Sequence, residues 1–274
     1  MSRLLYVYGI VAAQSAPTDA PDGLDGAKVV VRREGDVAAL VSELDGEEYE
    51  PSSIETRSGD VDWVAERAVA HDRVLTWASD RGAVIPLPMF TALFRSTESI
   101  DEMLRTRGKS LRSVLEQLGR GREYALRVYR VDAELKAALP ALDPSIASLA
   151  AAATAAPPGQ RYLLERKLEE RTKDDMRAAS QRIVAEIRDQ LAGVALDSVL
   201  SPIPRVSESL PRSKRGDAPG TMVLNASFLV APDGLRAFQE RLTEIISERQ
   251  PSGFRFDFTG PWPPYHFASS GDDE

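Results

Sequence analysis

The stretch TMVLNASFLVAPDGLRAFQERLTEIISERQPSGFRFDFTG, residues 221–260, predicts a strand, a helix and a second strand in succession. Its first ten residues are mostly apolar or β-branched, which favours a strand. The middle part carries apolar residues at three- and four-residue spacing, the pattern of an amphipathic helix. These apolar residues are Leu235, Phe238, Leu242, Ile245 and Ile246. Phe254, Phe256 and Phe258 then alternate with polar residues, which is the period of a strand with one buried face.

A similar succession precedes this stretch. Residues 124–131 (YALRVYRV) predict a strand, a helical pattern runs from Tyr162 to about Leu196, and residues 198–206 predict another strand. Residues 207–220 are polar and rich in glycine and proline, which favours a mobile hairpin loop. From residue 124 onward the order is therefore that of a ferredoxin-like βαββαβ domain, with both helices on one face of a four-stranded antiparallel sheet.

The long helical pattern has one gap in its apolar stripe. Between Leu168 and Met176 the chain reads EERTKDD, residues 169–175. The gap predicts that the helix extends past the edge of its own sheet at this point. A solvated face with i,i+4 pairs, such as Glu169 with Lys173, is favoured over a docking site.

The N-terminal half predicts a separate mixed α/β unit. Residues 4–11, 28–33 and 37–44 favour strands, the last two joined in a hairpin. A strong helix follows, and its apolar face predicts a buried row. This row is Val64, Ala68, His71, Leu75 and Ala78, with a second row beside it at Trp63, Arg67, Ala70, Val74 and Trp77.

Two further features complete this half. The segment 83–94 is apolar but holds two prolines, so it predicts an edge strand or an extended segment. The residues after it predict a short helix and then another, broken near Gly108.

The fold class expected from these elements is α+β (α/β) in two domains. The N-terminal α/β domain covers residues 1–122, and the ferredoxin-like domain covers 123–260 with an alanine-rich connector at 133–160. Residues 261–274 form an extended tail rich in proline and aromatic residues. We interpret its segment GPWPPYHF as a strap that lies against the protein's own surface, because prolines leave little conformational entropy to lose on docking; the alternative is a ligand for a partner.

Composition narrows the functional classes. The chain has 274 residues, 43% hydrophobic and 28% charged, which is ordinary for a globular protein. Its net charge of −8 argues against nonspecific nucleic-acid binding, and its longest apolar runs are too short to span a bilayer. The absence of cysteine excludes disulfides and thiolate metal sites, and we see no signal peptide at the N-terminus.

The sequence offers little catalytic chemistry. No Gly-rich phosphate loop and no metal-ligand spacing is present, so we predict no catalytic residue, no cofactor and no metal. The chain has two histidines, His71 and His266, and the position of His71 within an apolar stripe favours a packed core residue. The alternative is a small-molecule-binding or enzymatic protein with an interdomain cleft near His71, in which that histidine would be exposed beside carboxylates.

Six segments together resemble one family. In chain order they are LLYVYGI, AHDRVL, VIPLPMFTALFRS, GQRYLLERKLEER, LNASFLV and FDFTGPWPPYHFA, which run from Leu4 to Ala268. In this order they are similar to the gas vesicle protein F/L family of accessory proteins. The chain departs from the family pattern after the histidine helix, where a Phe-Gly-Thr turn is common and this chain has Phe90 and Thr91 without glycine. The departure predicts a different backbone geometry in that turn.

The resemblance implies a non-catalytic accessory protein for gas vesicle assembly. Its partners would be the small hydrophobic major shell protein and other gas vesicle accessory proteins, with no nucleic acid and no membrane, and its location the gas vesicle and the cytoplasm. We place the binding surface in the N-terminal domain, around the segment from Pro86 to Phe94 and the exposed faces of the strands of this domain. The predicted partner-binding residues are Pro86, Met89, Phe90, Phe94 and Arg95.

Overall fold

The computed structural model describes residues 3–16, 19–203 and 220–268. It is a mixed α+β structure with two antiparallel sheets and accompanying helices, in agreement with the predicted class. Two compact units are present. One contains residues 1–123 together with the C-terminal segment from residue 261, and the other contains residues 124–260.

The first unit is built on a sheet whose strands lie in the order β2-β3-β1-β4, with β5 also paired to β1. Its elements in chain order are β1 (Arg3–Ala12), β2 (Val29–Glu34), β3 (Val37–Asp45), α1 (Gly46–Tyr49), α2 (Pro51–Arg57), α3 (Val61–Ser79), β4 (Val84–Pro86), β5 (Leu93–Phe94) and α4 (Thr97–Leu118). Strand β1 pairs antiparallel with β3, β4 and β5. The proline-containing segment therefore does supply an edge strand, β4, because proline cannot donate to a further neighbour.

Strand β1 is central and almost wholly buried. Its register to β3 shifts at Val7 and Gly9, which marks an irregularity in the pairing. A Cβ atom at Gly9 would lie 2.7 Å from the carbonyl oxygen of Ile85 and 2.9 Å from a methyl of Leu75. Glycine at this position therefore permits the close approach of β4 and of helix α3 to the central strand.

Helix α3 buries a slightly different face from the one predicted. Its buried residues are Trp63, Arg67, Ala70, His71, Val74, Leu75, Ala78 and Ser79. Four of these eight residues belong to the second row and three to the first, whereas Val64 and Ala68 of the first row are only partly buried. The larger side chains of the second row cover more of the sheet, so their packing fixes the rotation of the helix.

Helix α4 runs without interruption through Gly108, and the predicted break there is wrong. The buried face continues on both sides of the glycine, with Leu104 before it and Leu111 and Leu115 after it. A glycine inside a helix costs about 1 kcal/mol relative to alanine. Burial of each leucine contributes more than that, so packing maintains the helix.

The second unit has the strand order β7-β8-β6-β9. Its elements in chain order are β6 (Arg122–Arg130), α5 (Asp132–Leu142), α6 (Pro144–Ala155), α7 (Pro158–Ala192), β7 (Asp197–Leu200), β8 (Thr221–Val230), α8 (Leu235–Arg249) and β9 (Phe254–Trp262). Strand β7 ends at Leu200, earlier than predicted. The predicted mobile loop at 207–220 lies outside the described residues except for Gly220.

A single apolar core joins α7 and α8 to this sheet. Phe228, Phe238 and Phe254 are completely or almost completely buried in it, and Phe258 stacks on Tyr124 with ring centroids 5.4 Å apart. Of the three alternating phenylalanines, Phe254 is fully buried as predicted, whereas Phe256 and Phe258 are only partly buried against this core.

The alanine-rich connector is helical, and α7 begins at Pro158 rather than Tyr162. The part of α7 up to Ala179 packs against α5 and α6, where Leu139, Ile146 and Ala179 form a small buried cluster. On this part of α7 the i,i+4 ion pairs are Arg166–Glu170 and Arg171–Asp175. Among the described residues, the expected pair of Glu169 with Lys173 is not formed.

Candidate functional site

The predicted partner-binding segment is an arch between β4 and β5. Both strands pair with β1, so the two ends of the arch are fixed to the same central strand. The backbone adds two further bonds, from Leu87 N to Tyr8 O at 3.0 Å and from Val7 N to Ala92 O at 2.9 Å. The arch from Pro86 to Arg95 is consequently held to the core of the first unit along its length.

The five predicted residues of the arch differ in exposure. Pro86 is buried in β4, and Phe94 is half-buried in β5 opposite Leu5. Met89 and Phe90 are also half-buried. Arg95 is exposed and lies 3.4 Å from a carboxylate oxygen of Glu50. Of the five residues, Pro86 is therefore closed to solvent, whereas Met89, Phe90, Phe94 and Arg95 are partly or wholly open to it.

Phe90 determines the shape of the arch. Its φ angle of 64° lies in the left-handed region, which side chains other than glycine rarely adopt. A residue other than glycine therefore adopts the left-handed conformation in this turn. The conformation costs about 1 kcal/mol or more, and the ring compensates by stacking on Trp63, with ring centroids 5.3 Å apart.

A charged group lies beneath this aromatic contact. The guanidinium of Arg67 is nearly buried and lies 4.3 Å from the centre of the Trp63 ring. It forms ion pairs with Asp25 at 2.7 Å and Glu48 at 3.0 Å. Arg67 Nε also donates to the hydroxyl of Tyr49, whose pKa is raised by burial. Because the charge is paired and hydrogen-bonded, it can remain in the interior and fix α3 relative to the loops around it.

His71 links helix α3 to the arch. It is 3% exposed, and its ring nitrogens lie 2.7 Å from the Tyr6 hydroxyl oxygen and 3.1 Å from the Leu87 carbonyl oxygen. A carbonyl can only accept, so Nε2 carries the proton and Nδ1 accepts from the Tyr6 hydroxyl. Burial lowers the pKa of His71 to about 4. Both nitrogens are thus occupied by the protein itself, unlike the exposed histidine that a catalytic cleft would need.

The C-terminal segment also belongs to the first unit. Phe267 is 6% exposed, and the buried carboxylate of Glu123 accepts from the backbone N–H of His266 at 3.1 Å and lies 2.6 Å from its Nδ1. Burial and the nearby Asp72 raise the pKa of Tyr265. Trp262 remains 42% exposed. Phe267 and the backbone of His266 therefore lie against the unit, whereas the side chains of Trp262 and Tyr265 are exposed.

Residues 3–16, 19–203 and 220–268 contain neither a candidate metal cluster nor a helix that could span a membrane. No group of three or more histidine and carboxylate side chains there could hold a metal ion. No helix in these ranges combines the length and the apolar character needed to cross a bilayer.

A family model described as "Gas vesicle synthesis protein GvpL/GvpF" matches residues 4–269. The chain belongs to this family. It is 26% identical to gas vesicle protein L of Streptomyces sp. (strain CB03234), over 99% of this chain and 95% of that one. It is 24% identical to gas vesicle protein L1 of Halobacterium salinarum, over 97% and 90% of the two chains. Family membership supports an accessory role in gas vesicles.

Solved structures of GvpF proteins share the fold of this GvpL/GvpF family member. The structure of GvpF from Anabaena sp. PCC7120 gives a TM-score of 0.69 at 19% identity, covering 98% of this chain and 99% of that chain. GvpF from Microcystis aeruginosa gives 0.64 at 18% identity, covering 97% and 99%. The similarity extends over the described parts of both units.

Sequence reasoning missed three residues that support the arch of this GvpL/GvpF chain. The sequence predicts no role for Tyr49, and for Trp63 and Arg67 it predicts only a second row beside the main apolar face. Trp63 and Arg67 are four residues apart, so both lie on one face of the helix. This spacing is the signal in the sequence that indicates their joint position. The stacking of Trp63 on Phe90 and the bonds of both residues to Glu48 depend on segments far away in sequence, so no local pattern indicates them.

Proposed function

We propose that this protein is a non-catalytic accessory factor for gas vesicle assembly that binds the small hydrophobic shell protein and other vesicle proteins. It would act in the cytoplasm and at the gas vesicle, without nucleic acid or membrane as a partner. The observation that carries the proposal is the family match over residues 4–269. The net charge of −8 is compatible with it, since an acidic protein stays soluble beside an apolar client.

The physical task explains why such a factor would be needed. A small hydrophobic shell protein exposes apolar surface before assembly, and such surface aggregates unless it is covered. A soluble partner can cover it reversibly when its own binding surface is apolar in part and does not need to be ordered on binding.

We propose the arch from Pro86 to Arg95 as that surface. Met89, Phe90 and Phe94 offer partly exposed apolar area, and Arg95 adds an exposed cation beside them. The hydrogen bonds to β1 and the His71 contact to Leu87 hold the backbone in place. A segment held in this way loses little conformational entropy on binding, which favours affinity.

We further propose that residues 123–260 are a ferredoxin-like domain and residues 1–122 an N-terminal α/β domain, followed by a tail from residue 261. The strand order β7-β8-β6-β9 and the placement of a helix before β7 and after β8 support the ferredoxin-like assignment. The assignment of residues 261–268 to the first compact unit supports a tail that docks on the protein itself.

Co-expression with each protein of the vesicle system tests the function. We expect the shell protein to copurify with the tagged wild-type chain, and a deletion strain to be impaired in vesicle formation. Absence of a complex with every vesicle protein, together with normal vesicles in the deletion strain, would overturn the proposal.

Matched substitutions test the surface separately. Met89→Glu and Arg95→Glu should reduce capture of the shell protein, because they place negative charge on the arch. Val69→Glu is the control, since Val69 is 67% exposed on α3 outside the arch. Equal capture by all three variants, each with an unchanged melting temperature, would mean that the binding surface lies elsewhere.

A further inference from the structure

A cavity of about 620 Å³ lies within the second unit, beside helices α5 and α7. It is formed at the gap in the apolar stripe of α7, where EERTKDD faces the first turns of α5. Its lining residues are Arg130, Asp132, Ala133, Lys136, Glu169, Thr172, Lys173, Met176 and Arg177. Its volume is within the range of small-molecule sites, about 300–1,000 Å³.

The charge of the cavity is opposite to that of the protein. Four cations and two carboxylates line it, a formal balance of +2 in a chain of net charge −8. One of the carboxylates, Asp132, is already paired with Arg130 at 2.6 Å. Glu169 is the other, and it does not balance the remaining three cations.

Those three cations are available to a ligand. Within the described part of the chain, the side chains of Lys136, Lys173 and Arg177 have neither an ion-pair partner nor a hydrogen-bond partner. Other arginines of α7 do form ion pairs, such as Arg166 with Glu170 and Arg171 with Asp175. Like charges held on two facing helices repel one another, and an anion between them would remove that repulsion.

The apolar and hydroxyl-bearing residues at the floor of the cavity limit the kind of ligand that it can bind. Ala133 and Met176 contribute apolar surface between the cations, and methionine adapts to irregular shapes. The Thr172 hydroxyl donates to the Leu168 carbonyl at 2.6 Å, so it has no hydrogen left for a ligand. Donors to an anion must therefore come from the lysines and arginines. A bare phosphate would occupy only a small part of the volume.

We propose that this cavity binds a small, multiply charged oxyanion that carries an apolar or planar body, the chemistry of a phosphorylated metabolite such as a nucleotide. Lys136 approaches from α5, and Lys173 and Arg177 approach from α7, so the anion bridges the two helices. The body of the ligand lies on Ala133 and Met176. The site is separate from the arch, and its existence does not depend on the function proposed above.

Calorimetric titration of the purified full-length protein at low salt tests the site, with ADP and inorganic pyrophosphate as probes. We expect saturable binding of both, tighter for ADP because it also covers the apolar floor. Lys136→Gln/Lys173→Gln should weaken ADP binding by about tenfold or more, since two charge-assisted contacts are lost. Ala133→Glu should weaken it as well, because it adds a carboxylate to the floor.

Lys109→Gln/Lys167→Gln is the matched control. It makes the same change in net charge at exposed lysines outside the cavity, so ADP affinity should stay within about twofold. Melting temperatures confirm that each variant is folded.

Three results would overturn the proposal. The first is no saturable binding of either probe, and the second is equal weakening by the cavity and control variants. The third is tighter binding of a hexaglutamate peptide than of ADP, lost in Lys136→Gln/Lys173→Gln, which would assign the cavity to an acidic protein segment instead.

Discussion

At the scale of single residues, Phe90 and His71 define the candidate site. Phe90 holds a left-handed backbone that would suit glycine, and its ring is retained by Trp63. His71 is neutral, and each of its nitrogens has a partner in the protein. Both residues therefore contribute to the shape of the arch before any partner binds.

Substitutions of Phe90 distinguish the cost of its left-handed backbone from the stabilisation by the packing of its ring. Phe90→Ala removes the ring but keeps a Cβ in the left-handed region, whereas Phe90→Gly removes both. We expect both variants to be less stable than the wild type, and the glycine variant to be more stable than the alanine variant by about 1 kcal/mol. Unfolding of the wild type and the two variants in denaturant measures the order of their stabilities. An alanine variant more stable than the glycine variant would show that the left-handed conformation does not persist in solution.

Acid should destabilise the fold through His71. Its pKa falls from 6.5 in the unfolded chain to about 4 in the folded protein, so between these values the unfolded state binds more protons. The contribution of His71 to stability is therefore complete above about pH 6.5 and is lost as the pH falls toward 4. Its upper size is about 3 kcal/mol.

Comparison with His71→Gln isolates this contribution, because the carboxylates titrate in both proteins. The stability difference between wild type and His71→Gln should shrink as the pH falls from 6.5 to 4, measured by urea unfolding at each pH. A difference that stays constant over this window would contradict a buried neutral histidine.

At the scale of elements, the packing between elements competes with the local conformational preference of a residue. Helix α4 continues through Gly108 although the glycine favours a break, while strand β1 requires Gly9 because β4 and α3 approach it closely. The same residue type is thus unfavourable in one element and necessary in the other. Local sequence does not distinguish the two cases, since the distinction lies in what a Cβ atom would meet.

Substitution by alanine should have opposite effects on stability at the two glycines. A Cβ at Gly108 meets nothing within 4 Å, so Gly108→Ala should raise stability by about 1 kcal/mol. Gly9→Ala should lower it, because its Cβ would lie 2.7 Å from the Ile85 carbonyl oxygen. The midpoints of urea unfolding measure both effects. Destabilisation by Gly108→Ala would indicate that α4 is interrupted in solution after all.

Within the C-terminal segment, Phe267 should contribute more to the stability of the fold than Trp262. Phe267 is 6% exposed and Trp262 is 42% exposed, so truncation of Phe267 removes more buried area. We expect Phe267→Ala to lower the free energy of unfolding by about 3 kcal/mol and Trp262→Ala by about 1 kcal/mol. Chemical denaturation measures both. Equal effects would mean that the segment docks through Trp262 as well.

At the scale of the whole molecule, the chain contains two cores. The second unit is continuous in sequence, from Tyr124 to Gly260, and has its own buried cluster. The first unit is discontinuous, because it includes the segment from Pro261 onward. A continuous unit with its own core can fold alone, whereas the discontinuous one lacks part of its surface when cut at residue 123.

Expression of the two fragments tests this difference. Residues 124–260 should show a cooperative thermal transition by circular dichroism. The fragment 1–123 should melt at a higher temperature when a peptide of residues 261–268 is added, since the peptide restores the contacts of His266 with Glu123 and the burial of Phe267. A peptide with Phe267→Ala is the control. No shift with the wild-type peptide would show that the segment contributes nothing to the first unit.

The sequence by itself determined the elements whose patterns are long and regular. The strand at 221–230, the helix after it and the alternating phenylalanines at 254–258 were predicted correctly, because periodic burial of apolar side chains leaves a local trace. The burial of His71 followed from the same reasoning. The six family segments also lie in local sequence, and they led to the family that the comparisons show.

The tertiary structure alone decided where these elements meet. It placed Phe90 on Trp63, Arg67 between Asp25 and Glu48, and Glu123 beside His266, all pairs distant in sequence. It also turned the gap in the stripe of α7 into a cationic cavity against α5. Such contacts leave no periodic trace, because their free energy depends on distances that only the folded chain sets.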